Sequence, residues 1–373
     1  MNKKHYKFLD LKDVNAPLSN EINDAVSRVV NSGRYIGGPE VQNFEKILAE
    51  TVGGGVEATG VSNGLDALRL IFRAYIEMGE MKPGDEVIVP ANTYIASILA
   101  VTDNGLKPVF VEPDIRTLNL DTSLIEKHIS PRTRAILTVH LYGRTCYDST
   151  MQQTADKYGL KIVEDNAQAI GAGYSDRRQT GALGNAAAFS FYPTKNIGAL
   201  GDAGAVTSRD SRLISTVKAL ANYGSDYRYH NIYQGLNCRL DPIQAAVLSC
   251  KLPYLADECK RRTLLASIYE KYINNPLVSK PLYTAHNDMV WHQYVIMTPH
   301  RQDLRTYLLE NGVETEVHYP TPPHRQPCMR EYSDLNLPVT DRIAREVVSL
   351  PISACTSADD AVEIAKIINN FSK

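Results

Sequence analysis

The chain has 373 residues, of which 43% are hydrophobic and 22% charged, and its formal net charge is −2. This composition is typical of a globular protein, and the near-neutral charge without a Lys/Arg run excludes the basic footprint of a protein that binds nucleic acid or an anionic membrane. No stretch approaches the roughly 18 apolar residues of a membrane span, and the polar first residues lack the apolar core of a signal peptide, so we expect a cytoplasmic protein.

Helix-like and strand-like patterns alternate along the first two hundred residues. Apolar residues recur at helical spacing in residues 40–50, as with Phe44 and Ile47, and again in residues 66–78. Short apolar runs typical of buried strands follow at 86–89, 108–111, 134–139, 160–163 and 187–191. The alternation predicts an α/β fold with a mostly parallel sheet flanked by helices.

Three residues with functional potential lie where these predicted strands end. Tyr94 comes shortly after one run, Asp165 ends another, and Lys195 comes shortly after a third. Because the ends of parallel strands meet at one edge of a sheet, these groups should lie close together in a crevice.

The pattern changes beyond about residue 250. A long helix through Tyr269, a strand at 290–297 and a helix at 302–310 indicate a second α/β unit. We therefore expect a large domain of residues 1–250 and a smaller C-terminal domain of residues 251–373.

Lys195 and Asp165 together indicate a pyridoxal phosphate site. Lys195 lies between a short apolar strand and a glycine-rich turn, downstream of the strand that ends in Asp165. In such enzymes a lysine amine forms a Schiff base with the cofactor's aldehyde, and a carboxylate keeps the pyridine nitrogen protonated. From the residues alone, a surface lysine and an acid that caps a turn are the alternatives.

Four motifs occur in order along the chain: EDNAQAIGA, SFYPTKNIGALGDAGA, GLNCRLDPIQAA and HYPTPPHRQP. With them the chain resembles, from Phe8 to about Ala354, the DegT/DnrJ/EryC1/StrS sugar aminotransferases. These are fold-type I pyridoxal phosphate enzymes that aminate keto groups on nucleotide-linked sugars. The resemblance implies that fold, that cofactor and that class of reaction.

The resemblance also implies roles around the cofactor ring. Lys195 matches the Schiff-base lysine, which is also the base that moves the proton between the cofactor and the sugar. Asp165 matches the residue that binds the pyridine nitrogen, and Gln168 matches the one that binds the ring hydroxyl. Tyr94 matches the aromatic residue that stacks on the ring; without the resemblance a core tyrosine is equally compatible.

The phosphate is expected at the turn of residues 61–65, where Gly64 and Leu65 open a helix whose first amides point outward. An ordinary N-cap turn is the alternative, and Leu65 in place of the family's frequent threonine costs at most a hydroxyl contact. Ser190 matches a hydroxyl that also reaches the phosphate. Asn237 matches a residue on a loop that crosses to the partner's phosphate, so the resemblance implies a homodimer with shared active sites.

The sequence is less specific about the residues that bind the substrate. The resemblance implies that His318 lies close to the sugar and that the turn with Arg34 and Tyr35 borders the substrate cleft. The alternatives are that His318 has only a structural role and that Arg34 is exposed to solvent. The segment 222–233 holds Arg228 and four tyrosines, which suit a nucleotide sugar or equally an interface loop. It looks most like members that aminate C3 of a dTDP-linked 6-deoxy-3-ketohexose.

We therefore predict transamination of a nucleotide-linked, dTDP-type 3-keto-6-deoxyhexose, with L-glutamate as the amino donor and a 3-amino sugar nucleotide as the product. A 4-keto or UDP-linked sugar is the alternative substrate. A dehydratase of the family would carry histidine in place of Lys195, and the complete site disfavours a non-catalytic regulatory protein. The six cysteines contain no C-x-x-C pair, so we expect free thiols and no metal site.

Overall fold

The computed structural model describes residues 4–283 and 288–373. Its α-helices are α1 (Leu11–Asn15), α2 (Ser19–Ser32), α3 (Pro39–Val52), α4 (Gly64–Glu77), α5 (Ile95–Thr102), α6 (Ser149–Tyr158), α7 (Ser211–Ala221), α8 (Pro242–Lys251), α9 (Leu255–Tyr272), α10 (Arg301–Glu310), α11 (Pro338–Glu346) and α12 (Ala358–Asn369). Its strands are β1 (Glu57–Val61), β2 (Glu86–Pro90), β3 (Lys107–Val111), β4 (Thr133–Val139), β5 (Lys161–Asp165), β6 (Ala186–Ser190), β7 (Gly204–Ser208), β8 (Ser225–Tyr227), β9 (His230–Asn231), β10 (Tyr294–Met297) and β11 (Val347–Leu350).

A seven-stranded sheet forms the centre of the molecule, with strand order β1-β7-β6-β5-β4-β2-β3. Strands β2 to β6 pair in parallel, whereas β7 runs antiparallel to both of its neighbours, β6 and β1. Apolar side chains are buried against helices on both faces of this sheet. The predicted α/β class with a mostly parallel, helix-flanked sheet is confirmed, and the five predicted strands correspond to β2 through β6.

The helix α4 positions the turn that follows β1. Its N-cap residue is Asn63, whose side-chain oxygen accepts a hydrogen bond from the Asp66 amide and so satisfies one free donor of the first turn. Leu68 and Ile71 are buried on one side of the helix, as the helical spacing of apolar residues in 66–78 predicts. Because that side packs into the core, the N-terminus of α4 is held in a fixed place beside the sheet.

A second core lies in the C-terminal part of the chain. There β10 and β11 form an antiparallel pair, and α9, α10 and α12 contribute buried apolar residues around them. The segment around Tyr6 packs on this part, since the Tyr6 amide donates to the Gly312 carbonyl at 2.7 Å and the Glu314 amide donates to the Tyr6 carbonyl at 3.0 Å. The domain boundary at residue 250 stays a prediction.

The predicted strand at 290–297 is wrong in its first half. Only Tyr294–Met297 is a strand. Trp291 has a φ of +52°, in the left-handed region, which interrupts the extended backbone that a strand requires. The preceding residues pair elsewhere: the Val290 amide donates to the Gly143 carbonyl at 2.9 Å.

Within the described ranges, no helix is long and apolar enough to cross a membrane. The six cysteines are free thiols. The same ranges contain no group of three or more His, Cys, Asp or Glu side chains placed to hold a metal ion.

Candidate active site

Asp165 is the last residue of β5 and is buried, with 7% of its surface exposed. One carboxylate oxygen, Oδ2, accepts a hydrogen bond from the Ser97 hydroxyl at 2.7 Å, and the other, Oδ1, accepts from the Ala167 amide at 3.2 Å. The Ser97 hydroxyl is in turn 2.9 Å from the Thr93 hydroxyl. The carboxylate is therefore held at the end of its strand by buried polar groups from α5 and the loop before it.

Lys195 lies in the loop after β6, where its backbone amide donates to the Tyr192 carbonyl at 2.8 Å. The side chain is partly buried. Burial lowers the pKa of the Lys195 amine to about 8, while the negative charge of Asp165 acts in the opposite direction and is the smaller effect. At pH 7 about a tenth of this amine is therefore uncharged, which is the nucleophilic form, whereas an ordinary lysine is almost fully protonated.

The N-terminus of α4 lies against the strand that precedes Lys195. A methyl group added to Gly64 would come within 2.6 Å of the Ser190 Cβ, and one added to Gly204 would come within 2.4 Å of the Asn63 carbonyl oxygen. The first backbone amides of a helix have no intrahelical acceptor, and the helix dipole favours an anion at this end. Gly64, Leu65 and Ser190 thus form a cradle in which a phosphate would meet amides and a hydroxyl.

Gln168 connects two tyrosines, Tyr142 and Tyr319. Its side-chain oxygen accepts from the Tyr142 amide at 2.6 Å, and its side-chain amide donates to the Tyr319 hydroxyl at 3.1 Å. The Tyr319 ring lies 5.1 Å from the ring of Tyr94, centroid to centroid, with the planes at 37°. Tyr94 retains 53% exposure, so its ring borders open space beside Asp165 and Gln168, where a planar cofactor would stack.

Two histidines lie close enough to Lys195 for its charge to affect them. Burial lowers the pKa of His318 to about 4, with a further contribution from the Lys195 charge, and its Nδ1 lies 2.8 Å from the Ser349 hydroxyl. Burial likewise holds the pKa of His292 well below its usual value, and Lys195 again contributes. Both imidazoles are therefore neutral at neutral pH.

The structure thus brings together eight of the predicted site residues: Gly64, Leu65, Tyr94, Asp165, Gln168, Ser190, Lys195 and His318. Sequence reasoning did not assign site roles to several others: Thr93, Ser97, Tyr142, Asn196, His292 and Tyr319. Tyr319 and Asn196 could have been found, since each is next to a residue that a motif singled out. Thr93 and Ser97 lie close to Tyr94 in sequence but carry no motif of their own, and Tyr142 and His292 come from distant elements.

The other four predicted residues form no hydrogen bond with this cluster within the described ranges, and Asn237 pairs with Asn222 in an antiparallel bridge. The Arg34 amide donates to the Ser32 hydroxyl, the Tyr35 hydroxyl donates to the Val30 carbonyl at 3.1 Å, and Arg228 contacts Tyr229. Asn237 is exposed, but its chain neighbour Cys238 accepts a hydrogen bond from the Ser62 amide at 2.9 Å. The Asn237 loop therefore runs beside the chain's own candidate phosphate turn.

A buried acid, an amine of lowered pKa and a helix N-terminus meet where the strands of a mostly parallel sheet end. This arrangement fits pyridoxal phosphate, because the donors match its ring nitrogen, aldehyde and phosphate, and Gly64 leaves free the space that a Cβ would fill. The fold and the site together define a fold-type I aminotransferase.

Comparison with known proteins agrees with this class. The model of the DegT/DnrJ/EryC1/StrS aminotransferase family matches residues 17–369, and the chain belongs to this family. It is 47% identical to the dTDP-3-amino-3,6-dideoxy-alpha-D-galactopyranose transaminase of Aneurinibacillus thermoaerophilus, over 98% of this chain and 99% of that protein. It is 42% identical to the dTDP-3-amino-3,4,6-trideoxy-alpha-D-glucose transaminase of Streptomyces venezuelae, over 98% and 96%.

The crystal structure of DesV from S. venezuelae is also similar, with a TM-score of 0.93 and 42% identity over 98% of each chain. The predicted family, fold type and aminotransferase class are confirmed, and the cofactor is pyridoxal phosphate.

Proposed function

We propose that the protein transfers the amino group of L-glutamate to C3 of a dTDP-linked 3-keto-6-deoxyhexose and so makes a 3-amino sugar nucleotide. The observation that carries this proposal is the assembly of Lys195, Asp165 and the α4 N-terminus in a chain 42–47% identical to two dTDP-3-amino sugar transaminases. Lys195 argues against a dehydratase of the family, since such members carry histidine at this position.

When bound, pyridoxal phosphate supplies an aldehyde and an electron-withdrawing pyridinium ring. In the proposed roles, Asp165 holds the proton on the ring nitrogen, as expected for a carboxylate that lies beside a cation and accepts two further hydrogen bonds. Gln168 faces the ring hydroxyl, and Tyr94 stacks on the ring. Gly64, Leu65 and Ser190 bind the phosphate.

Lys195 is the attachment point for the cofactor and the base that moves the proton at the reacting carbon. Its environment suits the second role, because a pKa of about 8 makes the amine both a competent acceptor and a competent donor of a proton near neutral pH. Neutral His318 lies close enough to Lys195 to be affected by its charge and is assigned to the sugar. Arg34, Tyr35 and Arg228 are assigned to the nucleotide or its border.

The proposal extends to assembly. We infer a cytoplasmic homodimer in which Asn237 binds the phosphate of the partner's cofactor. Exposed aromatic and apolar side chains near the crossing loop support an interface there, with exposed fractions of 86% for Tyr229, 64% for Tyr227 and 59% for Ile36. We also retain the division into a large domain of residues 1–250 and a small domain of residues 251–373.

The substrate is tested by incubating the purified holoenzyme with L-glutamate and a panel of 3-keto and 4-keto sugars linked to dTDP or UDP. We expect a mass change of ketone to amine with the dTDP-linked 3-keto sugar and NMR signals that place nitrogen at C3. Lys195→Ala is the matched control and should form no product. Amination of a 4-keto or UDP-linked sugar alone would replace this substrate assignment, and 2-oxoglutarate release must match the amine formed.

A further inference from the structure

The segment 290–293 lies between two parts of the active site, and we name it the 290–293 strap. On one side, the Val290 amide donates to the Gly143 carbonyl at 2.9 Å, and the Gln293 amide donates to the Tyr142 carbonyl at 3.3 Å. Because the Tyr142 amide donates to the side chain of Gln168, this side of the strap reaches the residue proposed to bind the ring hydroxyl.

The other side of the strap reaches the residue next to Lys195. The His292 Nδ1 lies 2.9 Å from the Asn196 side-chain oxygen, and the Asn196 side-chain amide donates to the Val290 carbonyl at 3.3 Å. Since the side-chain nitrogen of Asn196 donates to the Val290 carbonyl, the side-chain oxygen of Asn196 is the acceptor for His292. This assigns the imidazole hydrogen to Nδ1. The strap therefore holds the peptide that follows Lys195 through a directed hydrogen bond.

Arg262 holds the backbone of the 290–293 strap in place. One guanidinium nitrogen donates to the carbonyls of Trp291 and His292, each at 3.2 Å, and to that of Ile352 at 2.7 Å. The Arg262 Nε donates to Glu258 at 2.6 Å. The left-handed backbone at Trp291 is held by these contacts, and His292 has only 5% of its surface exposed. A buried imidazole in so constrained a backbone has little freedom to reorient.

We propose that His292 is a positioning residue that holds Lys195, through Asn196, in a fixed position relative to Gln168. The inference rests on the proposed roles of Lys195 and Gln168. A rigid link of this kind matters because a displacement of about 1 Å in a reacting group costs on the order of 100-fold in rate. The neutral imidazole supplies the hydrogen bond without adding a second positive charge beside the lysine.

The test uses two variants of the holoenzyme that differ in where they place an amide. His292→Asn puts its side-chain amide near the position of Nδ1, where it can still donate to Asn196. His292→Gln extends the amide to the position of Nε2 and leaves Asn196 without its donor. Both replace a buried ring by a smaller polar group, so a loss that reflects only packing affects both variants similarly.

We expect His292→Gln to lower kcat at least about tenfold while KM changes less than about threefold, and His292→Asn to keep kcat within about threefold of the parent. The pH at which the absorbance of the bound cofactor changes should move by at least about 0.5 units in the Gln variant and stay in place in the Asn variant. This titration needs no sugar substrate, so it tests the role of His292 even if the proposed substrate is wrong.

Asn196→Ala completes a double-mutant cycle. If His292 acts through Asn196, the loss in kcat for Asn196→Ala combined with His292→Gln should be no larger than that for Asn196→Ala alone. Equal losses for Asn and Gln at position 292, or fully multiplicative losses in the cycle, would overturn the proposal. So would an absorbance titration that is the same in all variants. If a variant of residue 292 does not fold, it is omitted from the cycle. Asn196→Ala still tests the link between the 290–293 strap and Lys195, because the same absorbance titration can be measured on it.

Discussion

At the scale of single residues, the site depends on charge states that the fold imposes. Lys195 is partly buried beside two neutral imidazoles, His292 and His318, and across from the carboxylate of Asp165. Burial disfavours the ammonium form, while Asp165 favours it, and burial is the larger effect. The lysine is thus ready to attack a carbonyl at a pH where an exposed lysine is almost fully protonated.

This charge state predicts the pH dependence of cofactor attachment. Because only the neutral amine attacks, the rate at which the apoprotein forms its covalent link with pyridoxal phosphate should rise with pH and level off above about pH 8. Stopped-flow absorbance measures this rate. A rate that keeps rising toward the ordinary lysine pKa of about 10.4 would contradict the assignment.

The control is Lys195→Ala, which should form no link at any pH. Borohydride reduction followed by peptide mass spectrometry locates the attached lysine in the parent. An adduct on a different lysine would reject Lys195 as the attachment point.

Asp165 should act through the protonation of the ring nitrogen. Asp165→Asn keeps a side chain of the same size, so the fold should remain, but a neutral amide cannot stabilise the pyridinium and the rate should fall by about two orders of magnitude or more. Cofactor labelled with ¹⁵N in the ring reports this proton directly through its NMR shift. Near-parental turnover together with an unchanged shift would remove this role.

Ser97→Ala tests the same role of Asp165 with a smaller perturbation. It removes the hydroxyl that donates to Asp165 at 2.7 Å but leaves the carboxylate in place. We expect a smaller loss of rate, about tenfold, because one hydrogen bond to a charged group contributes about 1.5–3 kcal/mol. Thr93→Val, one step further from the carboxylate, should have the smallest effect of the three variants.

At the scale of helices and strands, the parts with strong hydrophobic periodicity could be predicted from the sequence. The helix predicted at 40–50 corresponds to α3, and the run at 134–139 corresponds to β4. No prediction was made for β1 or β7, which contain glycine, and the antiparallel direction of β7 depends on pairing across the whole sheet. Local sequence patterns do not contain that information.

The site shows the same limit. Lys195 and Asp165 could be predicted because each lies in a motif at the end of a strand-like run. Ser97 and His292 could not, because their importance comes from contacts with residues 68 and 96 positions away in sequence. The strap itself was mistaken for a strand, since a left-handed tryptophan leaves the apolar pattern unchanged.

The N-terminus of α4 predicts a difference between two neighbouring substitutions. Gly64→Ala places a Cβ within 2.6 Å of the Ser190 Cβ, so the cradle must open and the cofactor's Kd should rise at least about tenfold. Leu65→Ala keeps the backbone amide, so Kd should change by less than about threefold even if the apoprotein loses stability. Fluorescence titration of the apoproteins measures both constants, and equal effects would argue against amide-based phosphate binding.

At the scale of the whole molecule, the proposed homodimer requires that Asn237 of one chain complete the site of the other. The Asn237 loop pairs with the chain's own turn, since Cys238 accepts from Ser62, and this makes a contact within one chain sterically reasonable. Asn237 itself is exposed and lies near the exposed tyrosines of the segment 222–233. Asn237 is therefore also accessible to a second chain, as the proposed homodimer requires, and mixing two inactive variants separates the two arrangements.

We predict that Lys195→Ala and Asn237→Asp restore activity to each other when their subunits exchange. The second substitution places a carboxylate against the phosphate, where like charges repel. If Asn237 acts across the dimer, a hybrid has one site with both defects and one with neither. About half of a statistical mixture consists of hybrids, so the activity should reach about a quarter of the parental value.

If Asn237 acts within its own chain, every site keeps one lesion. Activity that stays at the level of the two variants, after mass spectrometry has shown subunit exchange, would then assign the phosphate contact to the same chain.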